Sequence, residues 1–141
     1  MRATIVYAAS LILFTGCAVP MASPDADASA KSFQPSPGRA RIYVFRDTVI
    51  GAAVVHQVVI DGEFVAATGP HTFVMKDVPP GEHTVTSQTE RSVGRVKIHA
   101  IAGQCYFVRQ QPYFAMGPGV ALRLVDPDTG KQAVLKCNLA E

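Results

Sequence analysis

The segment VVHQVVIDGEFVAA, residues 54–67, decides the fold class of this 141-residue chain. Two arms rich in β-branched residues flank Asp61 and Gly62, a dipeptide that readily adopts the positive φ angles of a two-residue hairpin turn. The whole chain contains 11 glycines, 10 prolines and abundant valine, but no tryptophan. This composition favours short strands joined by tight turns over long helices.

Further strand patterns lie on both sides of this hairpin. Upstream, residues 39–47 (RARIYVFRD) are apolar on both faces, which predicts an interior strand. Downstream, residues 71–89 read as strand, turn, strand around Pro79 to Gly81. Residues 93–100 alternate between one packed and one wet face, and apolar runs follow at QCYFVRQ and GVALRLVD. We predict a mostly β fold, a small antiparallel β-sandwich of about seven or eight short strands over residues 39–141.

The last residues suggest a different element. Asp126 is a good helix cap and Pro127 suits the first helical position, so a short C-terminal helix is predicted. A final edge strand is the alternative.

The first 17 residues suggest export and lipid attachment. One positive charge precedes an uncharged apolar run from Ala3 to Phe14, which is too short for the roughly 20 residues of a membrane-spanning helix. The sequence FTGC, ending at Cys17, resembles the bacterial lipobox. This resemblance implies that residues 1–16 are a signal peptide and that Cys17 carries a diacylglyceryl group as the first mature residue. An ordinary secretory signal cleaved after Ala18, or a retained buried cysteine, is the alternative.

The residues after Cys17 predict a tether and a location. Residues 17–38 are rich in Ala, Ser and Pro, which predicts a lipidated N-terminus followed by a flexible tether. Docking of Phe33 on the domain is the alternative. Ala18 stands where an aspartate would resemble an inner-membrane retention signal, so we expect a lipid anchor in the outer membrane, facing the periplasm.

Three motifs carry a family resemblance. ARIYVFRD, VVIDGEFVA and DVPPGEHTV, in that order, resemble an uncharacterised bacterial family, domain of unknown function 2846, over Ala40 to Val125. Its members are mostly lipoproteins. The chain is also distantly similar to PEGA-type β modules. The resemblance implies a periplasmic β domain on a lipid anchor and brings no known reaction with it.

The two remaining cysteines are a disulfide candidate. If Cys17 carries lipid, Cys105 and Cys137 are left to pair in an oxidising compartment. Such a bond would stabilise the fold by roughly 3 to 4 kcal/mol in the chain-entropy model. Two buried free thiols are the alternative.

The sequence predicts no catalytic, cofactor-binding or metal-binding residues. The four histidines lack metal-ligand spacing, and neither a nucleophile elbow nor a phosphate-binding glycine loop is present. His83 is expected to bond across its turn, while His56 and His99 are expected to face solvent. The formal net charge of +2 gives no indication of nucleic-acid binding.

Two surfaces deserve a functional hypothesis. Arg91, Arg95 and Lys97 would line one wet face, where lipopolysaccharide phosphates or an acidic partner could bind. An ordinary solvated face is the alternative. Tyr106, Tyr113 and Phe114, near Met116, could form an apolar loop patch for a partner or could pack in the core.

Together these patterns favour a non-enzymatic cell-envelope lipoprotein. We expect a lipid-anchored periplasmic β module that binds an envelope protein or a wall polymer. A small hydrolase or ligand carrier whose site is assembled from distant residues is one alternative, and a secreted β domain without lipid is another.

Overall fold

The computed structural model describes residues 19–141, so the predicted signal peptide and Cys17 lie outside the described residues. Within this range the chain forms nine strands and two short helices. In chain order these elements are α1 (Pro24–Ala30), β1 (Ala40–Arg46), β2 (His56–Ile60), β3 (Glu63–Thr68), β4 (Thr72–Val78), β5 (Gly81–Gln88), β6 (Val93–Ala100), β7 (Cys105–Phe114), β8 (Pro118–Val125), α2 (Pro127–Leu135) and β9 (Asn138–Leu139). Neither helix is long and apolar enough to cross a membrane.

The strands form two sheets, which confirms the predicted mostly β sandwich. The five-stranded sheet has the order β8-β7-β1-β4-β9, and the four-stranded sheet has the order β3-β2-β5-β6. Most strand pairs are antiparallel, as predicted, but β1 pairs with β7, and β4 with β9, in parallel. Parallel neighbours need a crossover connection. Between β1 and β7 the chain makes this connection by forming the strands of the other sheet.

The hairpin predicted at Asp61 and Gly62 is confirmed. Ile60 pairs directly with Glu63, and the two turn residues have φ angles of 53° and 82°. The next strand–turn–strand pattern differs, because β4 and β5 belong to different sheets and do not pair. Pro79 and Pro80 lack the backbone N–H groups that continue a ladder, and they carry the chain from one sheet to the other.

β1 is the predicted interior strand, apolar on both faces. Its Ile42 and Val44 pack between the two sheets in the aliphatic core. Its Tyr43 and Phe45 point to the opposite face, beneath the helices, together with Phe107. The five-stranded sheet is therefore covered on both sides, as a strand with this pattern requires.

The predicted flexible tether is wrong from Val19 onward, because this segment packs on the domain. Ser23 caps α1 by accepting a hydrogen bond from Ala26, and Tyr43 Oη donates to the Ala30 carbonyl at 2.7 Å. The Phe33 ring lies 5.4 Å from the Tyr43 ring and 5.9 Å from the Phe107 ring, centroid to centroid. Burial of these aromatic surfaces offsets the entropy cost of ordering a segment that is otherwise rich in small side chains. The alternative in which Phe33 docks is therefore correct.

The predicted C-terminal helix is confirmed as α2, and the short edge strand β9 follows it. Asp126 accepts a hydrogen bond from the Thr129 N–H at 2.9 Å, and Pro127 occupies the first turn. Gly130 rests directly on Phe107, since a Cβ at this position would collide with that ring. The glycine permits close helix–sheet packing at the cost of helix propensity.

The predicted disulfide between Cys105 and Cys137 is not formed. Cys105 lies opposite Arg41 near the start of β1, where its thiol donates to the Phe33 carbonyl. The Cys137 thiol donates to the carbonyl of Arg46, five residues further along β1, or about 16 Å at the rise of a strand. A disulfide needs Cα atoms within about 7 Å. Both cysteines are free thiols, and burial raises the pKa of Cys137 to about 11.

Candidate functional site

The two sheets differ in what lies on their outer faces. The helices and Phe33 cover the five-stranded sheet, whereas the outer face of the four-stranded sheet exposes polar side chains to solvent. We call this second surface the open sheet face. Strand alternation places Gln57, Glu82, Arg95, Lys97 and His99 on it, all exposed. The expectation that His99 faces solvent is therefore confirmed.

The predicted basic cluster lies only partly on this face. Arg95 and Lys97 both project from β6 as predicted, but Arg91 lies in the turn between β5 and β6. Lys97 Nζ is 3.1 Å from Glu82 Oε1, and the two side chains are 68% and 65% exposed. An ion pair this exposed contributes at most about 1 kcal/mol, so either charge can turn to a partner at little cost.

A surface cleft of about 720 Å³ opens at one end of the open sheet face. Gln57 and Gln88 form one wall, joined by a hydrogen bond of 3.1 Å from Gln88 Nε2 to Gln57 Oε1. Val54 and the two charged neighbours Glu90 and Arg91 are among the other residues that line the cleft. This lining can hold a polar group through amide, carboxylate and guanidinium contacts. We call it the sheet-end cleft.

The cleft belongs to one end of the sandwich, which we call the loop end. It is formed by the connections 47–55, 69–71, 89–92 and 115–117, since every strand beside them begins or ends there. The turns at Asp61–Gly62 and Pro79–Pro80 lie at the opposite end.

Arg46 is buried beneath the loop end and organises loop 47–55. Its guanidinium is fully buried and donates to three carbonyls of this loop, at 2.8 Å to Val54, 2.8 Å to Ile50 and 2.6 Å to Gly51. Its Nε makes no hydrogen bond to any residue in the 19–141 range. Hydrogen bonds from a charged donor are worth more than neutral ones, so this arginine fixes a loop that has no secondary structure of its own.

His56 lies in the interior, so the expectation that it faces solvent is wrong. On β2 it shares the inward face with Val58 and Ile60, and it is 1% exposed. Strand alternation dictates this position, because the apolar partners at every second residue define the buried face. Burial, followed by the charge of Arg46, lowers the pKa of His56 to about 4, so the ring is neutral at neutral pH.

A buried polar chain joins the two sheets below the loop end. Thr68 Oγ1 donates to Gln110 Oε1, and Gln110 Nε2 donates to Ser87 Oγ, each at 2.7 Å. All three side chains are fully buried. Sequence reasoning missed this chain, although polar residues at inward positions of three strands were its signal. Because a satisfied buried network resists rearrangement, it adds to the rigidity of the loop end.

The predicted apolar patch is present at the loop end in an altered form. Phe114 and Met116 are 60% and 105% exposed, and Tyr113 is also exposed. Val49 and Ile50, which sequence reasoning missed, extend the patch from the neighbouring loop. We call these five residues the loop-end patch.

The third predicted aromatic of this patch, Tyr106, lies elsewhere. Tyr106 Oη accepts a hydrogen bond from the Ile101 N–H at the opposite end of the sandwich.

Within the part of the chain that the structure describes, no group of three or more His, Cys, Asp or Glu side chains is arranged to hold a metal ion.

These features define a small two-sheet β module with one covered and one open outer face. A family model described as a protein of unknown function, DUF2846, matches residues 36–121, and the chain belongs to this family. The chain is also similar to an uncharacterized protein of Haemophilus influenzae. The two are 36% identical over 142 residues, which cover 99% of this chain and 83% of the relative. The motif-based family prediction is therefore confirmed.

Proposed function

We propose that the protein is a non-enzymatic lipoprotein of the bacterial cell envelope, anchored through lipid on Cys17 and binding an envelope partner through its open sheet face. The single observation that carries this proposal is the difference between the two outer faces. One sheet is covered by helices and aromatic rings, while the other presents a mostly polar outer surface with exposed Arg95 and Lys97, on which Phe64 and Val93 are also exposed.

The charges on the open sheet face favour an acidic or polar partner. Arg95 is exposed, and Lys97 is held only by an exposed pair with Glu82. Opposite potentials across an interface speed association and suppress wrong partners. An acidic segment of an envelope protein, or a wall polymer with carboxylates, has the chemistry to bind there.

Anchoring is tested by metabolic labelling with a fatty acid. The wild-type protein should carry the label and fractionate with the outer membrane, and the Cys17→Ser variant should lose both. Equal labelling of the variant, or an unlabelled wild-type protein, would refute the anchor.

Partner binding is tested by photo-crosslinking in intact cells. A photoreactive amino acid at Thr84, on the open sheet face, should yield a specific envelope adduct, whereas one at Leu135, exposed on α2, should not. The double reversal Arg95→Glu with Lys97→Glu should abolish the adduct. The matched reversal Arg123→Glu with Lys136→Glu, at exposed cations of β8 and the end of α2, should leave it intact. Identical adducts from both positions would rule out a role for the open sheet face.

The sheet-end cleft favours a second candidate function, carriage of a small polar ligand. Its amide pair and the guanidinium of Arg91 could hold a carboxylate or hydroxyl group. Thermal-shift screening of anionic metabolites tests this candidate. A shift that disappears in Arg91→Ala and persists in Arg123→Ala would support it.

A further inference from the structure

The loop-end patch is an apolar surface within two uncharged segments. Residues 48–55 and 110–122 contain no Asp, Glu, Lys or Arg. Between them they expose Val49, Ile50, Tyr113, Phe114 and Met116. The two segments meet at Gly51, where an added Cβ would lie 3.4 Å from the Phe114 ring. A contiguous exposed apolar patch of this kind marks an interaction site.

The patch is held in place from below. Arg46 binds three carbonyls of the first segment. Gln110, at the start of the second, is fixed by Thr68 and Ser87. Apolar side chains on such a support do not need to be ordered on binding, which removes part of the cost of association.

The N-terminal chain enters the fold at this same end. The Val19 side chain lies over Gly69, where an added Cβ would be 3.3 Å from a Val19 methyl group. Gly69 belongs to the turn between β3 and β4, and this turn is at the loop end because His56 pairs with Thr68 and Arg46 with Thr72.

Val19, the first residue that the structure describes, therefore lies at the loop end. Only two residue steps separate Cys17 from Val19 in the sequence. Two residues of fully extended chain span at most about 7 Å. Lipid on this cysteine would bring the bilayer surface to the end of the domain that carries the loop-end patch.

We infer that the loop-end patch docks into the surface of the lipid bilayer to which the protein is anchored. This inference rests on the anchor of the proposed function. Apolar side chains at a hairpin tip gain burial among acyl chains, and Tyr113 has the amphipathic ring that is enriched at membrane interfaces. Arg91, exposed in the neighbouring turn, can bind the phosphate of a headgroup.

Docking in this way orients the domain. The strands then rise from the bilayer, since the patch lies at their ends, and the open sheet face stands at the side of the module. The lipid anchor keeps the patch at high local concentration near the bilayer, so a weak intrinsic affinity suffices.

Tryptophan fluorescence provides a direct test, because the chain contains no tryptophan. Phe114→Trp and Met116→Trp each place one probe in the patch. Phe64→Trp is the matched control, since Phe64 is 57% exposed on β3, next to the hairpin turn at the opposite end. Each full-length lipidated variant is reconstituted into phosphatidylethanolamine–phosphatidylglycerol vesicles with or without brominated acyl chains.

The expected result is a blue shift and severalfold stronger bromine quenching at positions 114 and 116 than at position 64. If the proteins float with the vesicles and all three probes are quenched equally or not at all, docking is refuted while the anchor stands. If the proteins do not float with the vesicles, the anchor is refuted and docking with it.

Discussion

His83 connects its own turn to the Asp61–Gly62 hairpin. Its Nδ1 lies 2.6 Å from Asp61 Oδ2, and its Nε2 lies 2.7 Å from the Pro79 carbonyl oxygen. The expectation that His83 bonds across its turn is confirmed. Because both ring nitrogens face acceptor oxygens, the arrangement is fully satisfied only by the protonated imidazolium. Burial opposes this charge, but the hydrogen bonds to Asp61 and Pro79 raise the pKa of His83 overall.

The first prediction concerns pH and stability. Since the pKa of folded His83 is raised, its contribution is complete below about 6.5 and is lost as the pH rises through the folded value. Burial tends to raise the pKa of Asp61, but hydrogen bonds from His83 and Thr84 lower it overall, so its contribution is lost in acid. The wild-type advantage over Asp61→Asn should therefore be largest between about pH 4 and 6.5. Urea unfolding across this range and up to about pH 9 measures it.

Asparagine tolerates the positive φ of 53° at position 61, so this substitution removes the charge and keeps the turn. Glu82→Gln is the control, because it breaks an exposed ion pair and should give a small difference in unfolding free energy. An advantage of the wild-type protein over Asp61→Asn that does not vary with pH would contradict the prediction.

The second prediction tests whether the N-terminal segment belongs to the fold. Phe33→Ala should lower the free energy of unfolding by about 2 to 4 kcal/mol, since the ring packs against Tyr43 and Phe107. Gln34→Ala, at an exposed neighbour, should change it by less than about 0.5 kcal/mol. A tether that did not pack on the domain would give the same small value for both, as measured by denaturant unfolding.

The third prediction reverses the usual rule for helix glycines. Alanine in place of glycine normally stabilises a helix by up to about 1 kcal/mol. Gly130→Ala should instead destabilise the protein by about 1 to 3 kcal/mol, because the new methyl group would collide with Phe107. Gln132→Ala, exposed on the same helix, should be neutral or slightly stabilising. Thermal unfolding of the two variants distinguishes these effects, and a gain in stability for Gly130→Ala would disprove direct helix–sheet contact.

Local signals predicted most of this fold, and long-range packing explains what they missed. Asp61–Gly62 defined a hairpin because turn geometry is set by two adjacent residues. The same kind of local signal, a capping residue before proline, begins both helices at Ser23–Pro24 and Asp126–Pro127. Only the second is predicted from the sequence to begin a helix, because the small side chains of α1 do not indicate the aromatic rings against which this helix packs.

The candidate site was less predictable. Strand alternation correctly predicts that Arg95 and Lys97 are exposed, but no local pattern indicates that Glu82 lies beside Lys97 on the neighbouring strand. Nor could the sequence place loop 47–55 beside the 113–118 hairpin tip, since that contact depends on β1 and β7 being parallel neighbours. Arginine side chains are mostly exposed, so the sequence does not indicate that Arg46 is buried. Its burial depends on the loop carbonyls that the fold brings within hydrogen-bond distance of the guanidinium.

The fourth prediction links Arg46 to the titration of His56. Burial and the nearby guanidinium together hold the pKa of His56 near 4. Arg46→Met should raise this pKa, although not to 6.5, because the desolvation of the ring remains. The carbonyls of loop 47–55 would lose their donors, so stability should fall by about 3 kcal/mol. NMR titration of the His56 ring protons measures the pKa shift.

Arg109→Met is the control for this experiment. It also removes a cation, one that pairs with Asp47 at 2.9 Å, and it should leave the His56 pKa near its wild-type value. Equal shifts in both variants would show that the effect of Arg46 on His56 is not specific.

The two ends of the described chain complete the same edge of the five-stranded sheet. Ala22 donates to the Leu139 carbonyl and Glu141 donates to the Pro20 carbonyl, each at 3.0 Å, while β9 pairs with β4. During synthesis, residues 19–22 therefore have no partner strand until residue 141 has been made. The edge of this sheet is therefore completed only when the last residues of the described chain are in place.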